Sequence, residues 1–200
     1  MSRAPEPFAR FVRAMGQLTD AASSEAEILR GGRRQLGALV AEDNWLPDVF
    51  AQPDPTRYRQ YLLYRDPRGR FSVVSFVWGP GQSTPIHDHT VWGLVGVLRG
   101  AEIAQRFHVP GAGAPVALGL PDGLAPGAVE AVSPTVGDVH QVSNAYDDRV
   151  SISIHVYGAD IGAVQRWVYS PDGGRKAFVS GYDNTEANPP FDIELTEPAA

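Results

Sequence analysis

The sequence has no cysteine among its 200 residues. That absence excludes disulfides, CxxC redox chemistry, iron-sulfur clusters and thiolate zinc sites, so a bound metal must draw its ligands from His, Asp or Glu. No apolar run approaches the length of a membrane span. Nor does the start of the chain carry a signal-peptide core, because Glu6, Arg10, Arg13 and Asp20 interrupt its apolar residues. A cytoplasmic protein with no membrane partner is expected. Positive charge is also scarce: 17 Lys and Arg stand against 23 Asp and Glu, for a formal net charge of -6. Neutralising a phosphate backbone needs a dense basic surface, so the expected partner is a small molecule and not nucleic acid.

Apolar residues at 43% and charged residues at 20% match globular proteins and argue against a disordered chain or a coiled coil. The length suits one domain spanning 1–200, with a helical segment over 1–50, a β core over 58–178 and an irregular tail over 179–200. Phe8, Phe11, Val12 and Met15 fall on one helical face, which predicts a first helix ending near Gly16. Ser24 with Glu27 forms a capping-box pattern that opens a second helix to about Ala41, its stripe made by Ile28, Leu29, Leu36, Leu39 and Val40. Gly31 and Gly32 interrupt that helix, and Arg30, Arg33 and Arg34 read as solvated charges.

From Tyr58 onward, runs rich in Val, Ile and aromatics alternate with Gly, Pro and Asp clusters, the signature of strands and turns. Strands are predicted over 61–64 and 71–78 as a hairpin, then over 93–98, 102–107, 129–132, 139–142 and 150–157. A further hairpin begins at Trp167-Val168-Tyr169 and turns at Ser170-Pro171-Asp172-Gly173-Gly174. The segment 110–126, rich in Gly, Pro and Ala, reads as a loop holding at most a short strand.

His87 and His89 alternate along an extended segment, so they share a face and can chelate one ion while Asp88 points away. The fifth histidine, His108, ends a strand apart from them. A bare His-x-His is a weak signal, and its surroundings strengthen it. Gly81, six residues before His87, with Gly93 and Gly100 after it, resembles the first cupin motif. Gly137-Asp138-Val139-His140-Gln141-Val142-Ser143-Asn144 resembles the second. The resemblance implies a mainly β fold, a jelly-roll-like cupin barrel with the N-terminal helices packed outside, and a metal held by His87, His89 and His140. Where many cupins carry a glutamate ligand, Gly93 stands here. The ligand set is then three neutral imidazoles, which leave the ion its +2 charge and up to three open positions. Three histidines alone do not choose among zinc, nickel, copper and iron.

Ser153, His155 and Tyr157 alternate with Ile152, Ile154 and Val156. Two readings stand: a hydrogen-bonded relay running toward the metal with the apolar face packed outward, or an edge strand with its polar face in water. Together with the histidines, this arrangement resembles the thiol dioxygenase family typified by cysteine dioxygenase, over about Tyr58 to Tyr169 and with a similar helical start. The resemblance implies one non-haem Fe(II) per chain, binding of a thiol as thiolate, and addition of both atoms of O2 to sulfur to give a sulfinic acid. It also implies that Tyr157 bonds the oxygen species or the substrate, with His155 and Ser153 fixing its orientation.

Animal members place a cysteine at the Gly93 position, crosslinked to the tyrosine matching Tyr157, and an arginine at the Gln60 position. With Gln60, Gly93 and Arg166, this chain is more similar to bacterial 3-mercaptopropionate dioxygenases of the glutamine type. A substrate carboxylate would then meet Arg166, Tyr157 or water, unless Arg166 is an ordinary surface residue. The expected reaction is 3-mercaptopropionate to 3-sulfinopropionate, with cysteine or mercaptosuccinate as alternative substrates. A non-catalytic metal-binding or sensing cupin and a zinc hydrolase or lyase are the readings from other classes. Trp78 and Trp92 read as structural, with Trp92 near enough to His89 to help wall off a pocket.

Overall fold

The computed structural model describes residues 3–111 and 113–195. Two helices come first, α1 (Glu6–Ala21) and α2 (Glu25–Val40), followed by a short 3-10 turn at Asp48–Phe50. α1 continues past the predicted stop at Gly16, because that glycine is not a terminator but a gap: a Cβ there would lie 2.8 Å from the Leu195 side chain. α2 starts as the sequence indicates, with the Ser24 hydroxyl accepting from the Glu27 amide at 3.3 Å. The return bond of the box is shifted by one residue, since the Glu27 carboxylate accepts from the Ser23 amide and hydroxyl. Gly31 and Gly32 keep α2 helical while letting neighbours in. Added Cβ atoms would lie 2.7 Å from Leu18 of α1 and 2.6 Å from the Leu94 side chain beneath.

The strands are β1 (Arg59–Arg65), β2 (Ser72–Trp78), β3 (Ile86–His87), β4 (Gly93–Arg99), β5 (Glu102–His108), β6 (Val116–Leu124), β7 (Val129–Val132), β8 (His140–Asn144), β9 (Ser151–Tyr157), β10 (Arg166–Tyr169) and β11 (Arg175–Phe178). One sheet runs β1-β2-β9-β4-β7 and the other β11-β10-β3-β8-β5-β6, with antiparallel pairing throughout the described strands. The segment expected to be a loop holds the nine-residue β6, paired with β5 through a bulge between Ala104 and Arg106. Its side chains are almost all exposed. No buried face therefore imposes an apolar alternation, and the Gly and Pro content hid the strand.

Alternation along each strand sorts the core into two compartments. Outward residues of the five-stranded sheet, among them Leu63, Val73, Val77, Leu94, Ile152, Ile154 and Val156, join Phe8, Met15, Leu36 and Trp45 in a core shared with the helices. Inward residues of both sheets, including Leu62, Phe76, Trp78, Ala104, Val142 and Tyr157, fill the barrel. The result is a mainly β, two-sheet barrel with both helices outside it. β9 lies between β2 and β4 and is buried along its whole length. This removes the edge-strand reading of its polar face.

Of the tail predicted over 179–200, residues 196–200 lie outside the described residues; residues 179–195 contain no helix or strand and are fastened down. Asp183 accepts from the Gln60 amide at 2.7 Å and pairs with Arg57 and Arg59, while Asn184 brackets Leu62 through bonds to its N–H and C=O. Phe191 and Ile193 are buried in the helix-side core.

Candidate metal centre

Register brings two of the histidines together directly. His87 on β3 and His140 on β8 are cross-strand partners, and the chain leaving β3 places His89 beside them. The three ring centroids lie 4.8, 4.9 and 4.9 Å apart, and the candidate ligand nitrogens all fall within 4.8 Å of one another. His89 and His140 are only 1% and 3% exposed.

Hydrogen bonds fix which nitrogen two of the rings offer. His87 donates from Nδ1 to the Pro85 carbonyl at 3.0 Å, and His89 donates from Nδ1 to Asp138 at 3.0 Å. The Nε2 lone pairs of both remain for a metal, the usual way in which surrounding groups orient imidazole ligands. Asp138 is itself held in place by the amides of His89 and Thr90. Burial alone would raise its pKa, but the bonds from the His89 ring and these amides outweigh it and keep the carboxylate ionised below its ordinary range. Burial pushes His87 down to about 3 and His140 well below its ordinary value, so both are neutral and competent to donate a lone pair at pH 7.

His89 Nε2 is buried with no hydrogen-bond partner among the described residues. Such an orphan costs free energy in a folded protein unless something fills the position. Three imidazoles converging on one point, two of them (His89 at Nε2 and His140 at Nδ1) with a buried nitrogen that has no partner among the described residues, fit a divalent transition metal. Asp88, between the two ligands, does point away from them: it accepts from the Trp167 amide and the Tyr169 hydroxyl and pins the His-x-His segment to β10.

β9 presents its polar face to this triad. Ser153 Oγ lies 2.8 Å from His155 Nε2, and His155 Nδ1 lies 2.7 Å from the Tyr157 hydroxyl. The Tyr157 ring stacks on His89 at 5.4 Å, and Phe76 stacks on His155 at 3.9 Å. Burial keeps His155 neutral and raises the Tyr157 pKa further above neutrality, so the phenol carries its proton. Gly93 sits opposite Tyr157 in register, and a Cβ there would lie 2.8 Å from the tyrosine ring. Only glycine lets the ring lie this flat against β4.

Arg166 begins β10 and is 3% exposed, which excludes the ordinary surface reading. Its guanidinium lies 4.6 Å over the Phe178 ring and donates to Ser180 at 2.7 Å. Its Nε has no partner, and no carboxylate pairs with it among the described residues. Burial lowers its pKa, with Tyr157 and Tyr58 acting in the opposite sense. Gln60 on β1 lies opposite Phe76, on the strand face that Leu62 turns into the barrel. Trp92 packs against the helix-side core, with its indole where a Cβ on Gly158 would be.

Sequence reasoning gave Asp138 no role and read Trp78 as structural only. Asp138 precedes the third histidine by two residues, and that proximity was its available signal. Trp78 donates its indole N–H to Ser153 at 3.2 Å, a contact that only the β2 to β9 pairing creates.

The model of the family described as cysteine dioxygenase type I matches residues 5–170. The chain belongs to this family. Solved structures with a similar fold include three from bacteria. An uncharacterized conserved protein with a double-stranded β-helix domain from Klebsiella pneumoniae is 18% identical, covering 65% of this chain and 91% of its own, with a TM-score of 0.44. A protein from Thermus thermophilus is 18% identical over 56% and 92%, at 0.43. A cupin superfamily protein from Desulfitobacterium hafniense is 14% identical over 55% and 84%, at 0.42. Membership of the cysteine dioxygenase family carries iron-dependent thiol oxygenation as its chemistry, and the three-histidine cluster is where such a metal fits.

Proposed function

We propose that the chain oxygenates a small thiol acid, 3-mercaptopropionate, to 3-sulfinopropionate. Both atoms of O2 end on sulfur, and the thiol proton ends on the sulfinic acid or in solvent. One Fe(II) per chain, held by His87, His89 and His140, would supply a Lewis acid that lowers the thiol pKa and a place for O2 beside it. The protein supplies orientation. Tyr157 offers a buried hydroxyl beside His89, and His155 and Ser153 hold that hydroxyl by the 2.7 and 2.8 Å bonds.

The observation that carries the substrate reading is Arg166, a buried guanidinium with no carboxylate partner among the described residues. An unpaired buried cation is costly, and a substrate carboxylate would relieve that cost. With Gln60 where animal relatives carry arginine, Arg166 is the candidate anchor, and a thiol acid needs no site for an amino group. Cysteine is the competing substrate, favoured by the family's description.

The test is metal analysis after anaerobic purification, followed by oxygen uptake with 3-mercaptopropionate, cysteine, mercaptosuccinate and 2-mercaptoethanol. We expect one iron per chain and the highest kcat/KM for 3-mercaptopropionate. Cysteine ahead by an order of magnitude would overturn the substrate. Arg166→Gln should raise KM for the acid by roughly tenfold or more, the worth of a charge-assisted pair, and leave 2-mercaptoethanol nearly unaffected. Equal losses for both thiols would make Arg166 structural.

A further inference from the structure

Glu102, the first residue of β5, is fully buried inside the barrel, and the proposed reaction does not use it. Neither of its carboxyl oxygens has a hydrogen-bond partner among the described residues. The Ser153 hydroxyl and the Trp78 indole N–H are close enough to lower its pKa, but burial acts more strongly and, with Glu130 adding to it, lifts the carboxyl to about 7. The groups around it are otherwise uncharged. Trp78 comes from β2, and Ser153 and neutral His155 from β9, while Asn144 of β8 and Leu124 of β6 are its register partners. Glu130 on β7 is itself held by Arg106.

The proton inventory of the relay is what gives Glu102 its interest. Ser153 has one O–H and two lone pairs, and neutral His155 has one N–H. Trp78 donates to Ser153 at 3.2 Å. The carboxyl lies beside Ser153 without a formed bond, and a small side-chain movement is needed to close that gap. If Glu102 is protonated, it can then donate to Ser153, with Ser153 donating to His155 Nε2 and His155 Nδ1–H donating to the Tyr157 oxygen. The Tyr157 hydrogen is then free. If Glu102 is ionised, Ser153 turns its hydrogen to the carboxylate and accepts from His155 Nε2–H, and Tyr157 must donate to the bare Nδ1. Ser153 uses its one donor and both acceptors in either state, so the two arrangements differ at the far end of the chain, in whether the Tyr157 hydrogen is committed to His155.

We propose that Glu102 ends the chain Glu102, Ser153, His155, Tyr157 and sets its direction, presenting the Tyr157 hydrogen to the oxygenation site when protonated and withdrawing it when ionised. Glu102 is thus a positioning residue, and its kinetic consequence rests on the thiol dioxygenase reading.

Infrared difference spectroscopy on the metal-free full-length protein with ring-labelled tyrosine tests the proposal without turnover, with Tyr157→Phe assigning the phenol band. Between about pH 6 and 8, a protonated-carboxyl band should disappear and the Tyr157 C–O band should shift with it. Both changes should be absent in Glu102→Gln. In Ser153→Ala the carboxyl should still titrate while the Tyr157 band stays still. A Tyr157 band that titrates in either variant, or one that ignores the carboxyl in the wild type, would overturn the proposal, as would a Glu102 that does not titrate in this range. In the iron-loaded enzyme, Glu102→Gln should keep its iron and lose the kcat inflection near pH 7. Absence of oxygen uptake with every thiol would defeat the thiol dioxygenase reading and leave the infrared result standing.

Discussion

Tyr157 places a hydroxyl beside the metal ligands without being one. In Tyr157→Phe the ring can keep its stack on His89 while His155 Nδ1 loses its partner, a buried orphan costing about 1–3 kcal/mol. The metal ligands are untouched. Iron content should therefore stay at the wild-type level, while turnover slows and oxygen uptake runs ahead of sulfinate formation. Comparing the two stoichiometrically checks this, and unchanged coupling would remove the hydroxyl from the reaction. At this scale the sequence was readable wherever spacing alone determines which side chains share a face, as for His87 with His89 and Ser153 with His155 and Tyr157. It did not connect Trp78 or Glu102 to Ser153, because those relations depend on strands 75 and 51 residues away in sequence.

At the scale of elements, α2 and β4 are fitted by glycine on both sides. Gly32 of the helix admits Leu94 of the strand, and Gly96 of the strand admits Leu36 of the helix, where a Cβ would lie 2.8 Å away. Leu36 is completely buried. Leu36→Ala should cost about 2–5 kcal/mol in denaturant unfolding, because backbones already this close have little room to collapse further. The metal triad faces the opposite compartment, so the folded variant should bind iron as the wild type does. The capping residue and apolar stripe made α2 legible, and its two glycines looked like flaws because their partners lie in another element. β6 went unrecognised for a related reason: an exposed strand has no core to impose a pattern on it.

For the whole molecule, the two compartments separate tasks: the helix-side core is apolar, while the barrel interior carries the polar groups of the site. The motif histidines and strand alternation made this division largely legible. The fastening of residues 179–195 was not, since it runs through Asp183, Asn184 and buried Phe191 in a segment with no periodicity. The tail also covers the outer side of β1, an edge strand whose free backbone groups would otherwise invite pairing with another chain.

The direct pairing of His87 with His140 has a kinetic meaning. These residues are 53 positions apart, and the pairing requires β3 and β8 to dock in the finished sheet. Loop closure on that scale is a late event in folding, so the ligand cluster should be unformed at the rate-limiting barrier. A metal that binds only the completed cluster cannot hasten the climb to that barrier, but it deepens the well behind it. Stopped-flow refolding should accordingly run at the same rate with and without Fe(II) under anaerobic conditions, while unfolding slows as the metal is added. Iron would then act as a latch on a barrel that has already closed, and its loss would shorten the lifetime of the fold without altering how the fold is reached.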